Sequence, residues 1–111
     1  MTLTVTARPV HDGRVELIAC GEIDYATSAD LRAAITLAAT AQPTPTRIAV
    51  DLSAVALIDS TGIGTLVVGR RLCAQVGIEL TVGAPSVFCD RVLRAAGVEE
   101  VLGLPCEHPA T

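Results

Sequence analysis

The chain has 111 residues, half of them apolar, and twelve acidic against eight basic side chains give a formal net charge of −4. This length predicts one core that buries about two-thirds of the surface exposed by the unfolded chain, and a folded surface of about 5,800 Å² with room for one standard interface of about 800 Å² per partner. The arginines are scattered apart from Arg70 and Arg71, so no basic stripe exists to track a phosphate backbone, which argues against direct binding of nucleic acid.

Residues 3–7 alternate apolar residues with threonines, and residues 15–20 alternate and then run apolar, with His11-Asp12-Gly13 between them. This pattern predicts a β-hairpin at one edge of a sheet. From Ser28 the apolar positions Leu31, Ala34, Ile35, Ala38 and Ala39 repeat at helical spacing, with Thr27 placed to cap the first turn. Pro43 and Pro45 end that helix, because neither can donate a backbone hydrogen bond. A strand is expected at residues 47–52, after which Asp51 and Ser53 shape a turn.

A second short apolar run, residues 55–58, leads into Asp59-Ser60-Thr61-Gly62. Ile63, Leu66, Val67, Val68, Leu72, Cys73 and Val76 then predict a long, largely buried helix closed by Gly77. Residues 79–82 have strand character, and Pro85 suits the first position of a helix whose apolar face is Phe88, Cys89, Val92, Leu93 and Ala96, ending at Gly97. Val101 and Leu102 read as a last short strand. Strands alternating with helices predict an α/β domain with parallel pairs, covered by helices on at least one face.

Tyr25 and Phe88 are the only residues of the Tyr, Phe and Trp class, so the core must be aliphatic. Cys20, Cys73, Cys89 and Cys106 are widely spaced without a C-x-x-C pair, which predicts no metal site. The first three fall in strand and helix segments and read as buried, inert hydrophobes, and Cys106 in the polar tail reads as the exposed thiol. The first residues lack a basic segment followed by an apolar one, and no window is apolar enough to span a bilayer. The expectation is a cytoplasmic protein without membrane contact.

Asp59-Ser60-Thr61-Gly62 is where several signals converge. A helix N-terminus leaves backbone N–H groups unpaired and carries partial positive charge, so it favours side-chain oxygens, carboxylates and phosphates. Local chemistry leaves two readings open: an ordinary N-cap, stabilising by about 1 kcal/mol, and an anion-tolerant control point. Gly62-Ile63-Gly64 does not make a nucleotide-binding loop, since the next glycine is Gly69 and no G-K-[ST] follows. A hydrolase built on Ser60 lacks the G-x-S-x-G elbow, and the two histidines, His11 and His108, fall in a turn and in the tail. No enzyme and no cofactor is predicted.

The run Asp51-Leu52-Ser53, then Leu57-Ile58-Asp59-Ser60-Thr61-Gly62-Ile63-Gly64, resembles the signature of the anti-sigma factor antagonists, the bacterial members of the STAS domain family. Gly21-Glu22-Ile23-Asp24 resembles the family's first signature, and Gly77, Pro85 and Ala96-Gly97-Val98 also fit its arrangement. The resemblance covers about residues 3–104 and implies one STAS domain over residues 1–111: a mixed sheet of four to five strands with three to four helices in a single layer pair. It also implies a partner-switching protein. In that family the unphosphorylated antagonist binds a serine-kinase anti-sigma factor and frees a sigma factor; phosphorylation releases the kinase, and a PP2C-type phosphatase resets the switch.

The resemblance makes Ser60 the phospho-acceptor, as the hydroxyl residue directly after the Asp, and makes Thr61 a neighbour that is not the usual acceptor. Glu22 and Asp24, with Asp59, Ser60, Thr61, Gly62 and Ile63, are the expected partner-binding residues. The competing reading is a non-switching STAS scaffold or sensor subunit that binds a protein or small ligand, with Ser60 as a mere cap. Family members commonly continue into a final helix, whereas the prolines in residues 102–111 oppose one here. A short polar tail and a monomer or weak dimer are therefore expected.

Overall fold

The computed structural model describes residues 2–104. Strands β1 (Leu3–Pro9) and β2 (Arg14–Ile23) form the antiparallel hairpin. Asp12 and Gly13 adopt φ of 60° and 77° at its tip, a left-handed conformation that the Asp-Gly pair tolerates best. Helix α1 (Ser28–Ala39) leads to β3 (Arg47–Ile58), α2 (Ser60–Gln75) leads to β4 (Glu79–Pro85), and α3 (Val87–Ala95) follows. The sheet order is β1-β2-β3-β4, with β2, β3 and β4 mutually parallel. The α/β class, the mixed four-stranded sheet and the three helices match the sequence reading.

Cross-strand register aligns Leu17 with Val50 and Val50 with Val82, so one face of the sheet carries the aliphatic core. Leu17, Ala19, Ile48, Val50, Leu52, Leu80 and Val82 are all buried there. Against them α1 contributes Leu31, Ile35 and Ala38, α2 contributes Leu66 and Cys73, and α3 contributes Cys89 and Leu93. Fully burying one such side chain stabilises by about 1.5–3 kcal/mol, which makes this interdigitated layer the main source of stability. The opposite sheet face shows Thr4, Thr6, Arg8 and Cys20 to solvent.

Several expectations are corrected. Asp51 and Ser53 do not end a strand: Asp51 Oδ1 accepts from the Ser53 N–H at 2.8 Å, and the β2–β3 register slips there, so a bulge carries β3 on to Ile58. Pro85 ends β4, and Ser86 caps α3, its Oγ accepting from the Cys89 N–H at 3.1 Å while donating to the Val55 carbonyl at 2.7 Å. Val101 and Leu102 lie in turn structure; among the described residues a single backbone bond, from Val82 N–H to the Leu102 carbonyl at 2.8 Å, ties that segment to the edge of β4.

Cys20 is exposed because strand alternation turns it away from the buried Ala19. Cys73 and Cys89 are buried, and desolvation pushes both thiols up; a hydrogen bond from Ser86 partly offsets the rise at Cys89. Cys106 and the tail fall outside the described residues. Helix α2 is less enclosed than its apolar content predicts: Leu66 and Cys73 are buried, but Val68, Leu72 and Val76 are 46%, 53% and 62% exposed. They line a groove between α2 and α1, where no further element among the described residues covers them. Phe88, read as part of the apolar face of the last helix, is 44% exposed on the first turn of α3.

Candidate functional site

Parallel strands β2 and β3 end side by side, Ile23 opposite Ile58, and both chains turn there into helices. In open sheets of parallel strands the carboxyl ends are the edge where loops can gather functional groups. The Asp59 N–H donates to the Ile23 carbonyl at 3.1 Å, extending the β2–β3 pairing by one step before α2 starts.

Asp59 then caps α2 in extended backbone geometry. Its Oδ1 accepts from the Gly62 N–H at 3.0 Å, and its Oδ2 accepts from the Tyr25 N–H at 3.2 Å. One carboxylate thus satisfies an orphan donor of the helix and pins the β2–α1 loop to it. This cross-link spans 34 residues of sequence and has no signature in residue spacing, which is why sequence reasoning missed the part played by Tyr25.

Gly62 is required by close packing. A Cβ there would meet Ile23 Cγ2 at 2.6 Å and Ile58 Cγ1 at 2.8 Å, so the first turn of α2 sits directly on the last core residues of both strands. Ile63 packs half-buried against the same core. Ser60 and Thr61, by contrast, are exposed on the outer side of that turn. Neither hydroxyl makes a hydrogen bond among the described residues, whereas Thr61 lends its carbonyl to Thr65 Oγ1 at 2.9 Å.

The β2–α1 loop is braced from within. Asp24 Oδ1 accepts from the N–H groups of Ala26 and Thr27 at 2.9 and 3.1 Å. Thr27 stands at the N-cap position of α1, but its side chain does not cap the helix. Its Oγ1 instead donates to the Glu22 carbonyl at 2.7 Å and accepts from the Asp24 N–H at 2.9 Å. Burial of Thr27 explains this, since a hydroxyl removed from water must find partners nearby. Glu22 and Asp24 are half-buried in the same region, and Tyr25, whose backbone N–H reaches Asp59, is 80% exposed.

The structure therefore gathers Asp24 and Asp59 through Tyr25, with Ser60, Thr61, Gly62 and Ile63 on the adjoining turn and Glu22 one strand position behind. The result is an exposed hydroxyl beside a held carboxylate, on a rigid turn. Among the described residues no group of three or more His, Cys, Asp or Glu side chains is placed to hold a metal ion, and no helix is long and apolar enough to cross a membrane.

The family model described as "Mlab, STAS domain" matches residues 6–104. The chain belongs to the STAS domain family. Among solved structures, an anti-sigma factor antagonist from Mycobacterium paratuberculosis is 25% identical, with a TM-score of 0.80 over 96% of this chain and 87% of that one. The anti-sigma factor antagonist SpoIIAA in its unphosphorylated form is 21% identical, with a TM-score of 0.71 over 93% of this chain and all of that one. A sulfate transporter family protein from Wolinella succinogenes is 22% identical, with a TM-score of 0.72 over 86% and 76% of the two chains. The last two show the shared fold alone. No curated protein matches the sequence. The STAS fold is thus common to antagonists and to transporter domains, and the residues at the start of α2 must carry any narrower assignment.

Proposed function

We propose that this STAS domain is a phosphorylatable anti-sigma factor antagonist without catalytic activity. Its unphosphorylated form binds a serine-kinase anti-sigma factor in the cytoplasm, which frees a sigma factor for transcription; transfer of the ATP γ-phosphoryl to Ser60 Oγ ends the interaction, and a PP2C-type phosphatase restores it. The observation that carries this reading is the exposed, unbonded hydroxyl of Ser60 directly after a carboxylate that is anchored by two backbone N–H groups.

The electrostatics support a switch without a change of fold. A phosphate adds about −1.5 to −2 charge at pH 7, next to Asp59 and on a chain that already carries −4. The helix N-terminus tolerates the monoester in water. A docked partner must desolvate it, and two like charges about 4 Å apart repel by about 4 kcal/mol at an effective dielectric of 20. Even half of that weakens binding by more than tenfold. Glu22, Asp24, Asp59, Thr61, Gly62 and Ile63 complete the partner face in this reading.

The test is incubation with kinase-type anti-sigma factors and ATP, location of any phosphate by mass spectrometry, and comparison of Ser60→Ala with Ser60→Glu in partner binding. Ser60→Ala keeps the affinity and Ser60→Glu loses more than tenfold. Equal affinities for the two variants refute the electrostatic mechanism. Stable binding with no phosphate transfer identifies a non-switching scaffold instead.

A further inference from the structure

Helices α1 and α2 leave between them a groove of about 660 Å³ that meets the candidate site only at Thr61. Its walls are apolar along most of their length, with Ile35 and Ala39 from α1 facing Val68, Leu72 and Val76 from α2. The groove stays open because α2 carries glycine where it nears α1: a Cβ on Gly64 would meet nothing within 4 Å, and one on Gly69 would reach Ile35 at 3.2 Å. From Thr61 to Val76 the α2 wall runs about 22 Å at 1.5 Å per residue. The volume falls in the range of small-molecule sites, about 300–1,000 Å³.

The charge in the groove is one-sided. Among the described residues Arg32 is the only charged one lining it, although the chain as a whole carries −4. Its guanidinium makes no ion pair among the described residues, unlike those of Arg8, Arg47 and Arg94. Arg32 lies on the first turns of α1, and Thr61 and Thr65, which also line the groove, lie on the first turns of α2. Both helices run from neighbouring strand ends in the same sense, so the cation, two threonine hydroxyls and the positive end of the α2 dipole share one end. The opposite end, toward Val76, carries no charge: Ala39, Leu72 and Val76 line it together with the uncharged Thr40 and Thr44.

We propose that the α1–α2 groove is a binding site for an amphipathic anion, a long-chain carboxylate whose head meets Arg32 and whose chain lies along Ile35, Val68 and Leu72. A guanidinium recognises a carboxylate through paired N–H donors, and the chain would cover the exposed side chains of Val68 and Leu72, removing them from water. This proposal does not depend on the Ser60 switch, although Thr61 borders both sites.

The test titrates the full chain, labelled for amide NMR, with dodecanoate below its micelle concentration and with dodecyltrimethylammonium as the cation of equal chain length. Dodecanoate binds at one site and shifts amides of Ile35, Thr36, Val68 and Leu72, about tenfold tighter than the ammonium compound. Arg32→Gln removes that preference while keeping the apolar contact. Gly64→Leu, which fills open space and improves helix propensity, abolishes binding with the fold intact by circular dichroism. Equal or tighter binding of the ammonium compound, unchanged binding in Gly64→Leu, shifts confined to another surface, or self-association through the groove in place of binding each overturn the proposal.

Discussion

Replacing Asp59 separates its two structural roles. Asp59→Ala removes the acceptor for the Gly62 N–H and the one for the Tyr25 N–H. Loss of an N-cap costs about 1 kcal/mol, and loss of the second bond, to a largely exposed loop, about another 1 kcal/mol. With an unfolding entropy of about 2.1 cal/mol/K per residue, 2 kcal/mol lowers the melting temperature of a chain this size by about 9 °C. Asp59→Asn keeps one side-chain oxygen for Gly62 and caps about as well as Asp, but its amide nitrogen cannot accept from Tyr25, so about 1 kcal/mol and half the shift are expected. Differential scanning calorimetry of the three proteins gives the order wild type, Asn, Ala. Amide exchange at Tyr25 speeds up in both variants and at Gly62 only in Asp59→Ala. Equal melting temperatures for Asn and Ala would show that the cap and the cross-link do not act separately, and the account of the turn would fail.

Two glycines in the first turns of α2 give opposite responses. Gly62→Ala forces a Cβ to 2.6 Å from Ile23 and 2.8 Å from Ile58, and overpacking of this kind costs about 1–3 kcal/mol, more than the gain in helix propensity; Gly64→Ala, with open space, stabilises by up to about 1 kcal/mol. Urea unfolding of both variants checks the signs, and a Gly62→Ala protein as stable as Gly64→Ala would contradict the packing. Among the described cysteines, Cys20 reacts with iodoacetamide at pH 8 in the native state, while Cys73 and Cys89 react only on unfolding, as peptide mass spectrometry can follow. Because burial raises both thiols above the unfolded value, the native state holds their protons more tightly; their contribution is fully present below the unfolded thiol pKa and is lost as pH rises through the folded one. Stability measured by denaturant unfolding therefore declines on the alkaline side of the thiol range, and less steeply in Cys73→Ala once its lower baseline is subtracted.

The hairpin at Asp12-Gly13, the periodic face of α1 and the start of α2 after Asp59 were all legible in the chain. Each rests on interactions within a few residues: turn conformation, helical repeat, or a capping side chain. The errors fell where distant segments decide. Residues 51–53 have turn chemistry, yet β2 holds them in the sheet and absorbs the mismatch as a bulge. Cys20 looked buried because its segment is apolar, and a strand shows one face to each side.

For the site itself, sequence determined that an Asp-Ser-Thr-Gly turn opens a helix, since capping preferences are local. Only the tertiary structure decided that Asp59 also holds the β2–α1 loop, that Gly62 is glycine because Ile23 and Ile58 lie beneath it, and that Ser60 is left exposed and unbonded. Local chemistry favours a carboxylate and hydroxyls at any helix start. Which of them faces the core, which braces another loop and which meets solvent depends on elements that meet only once the sheet has formed.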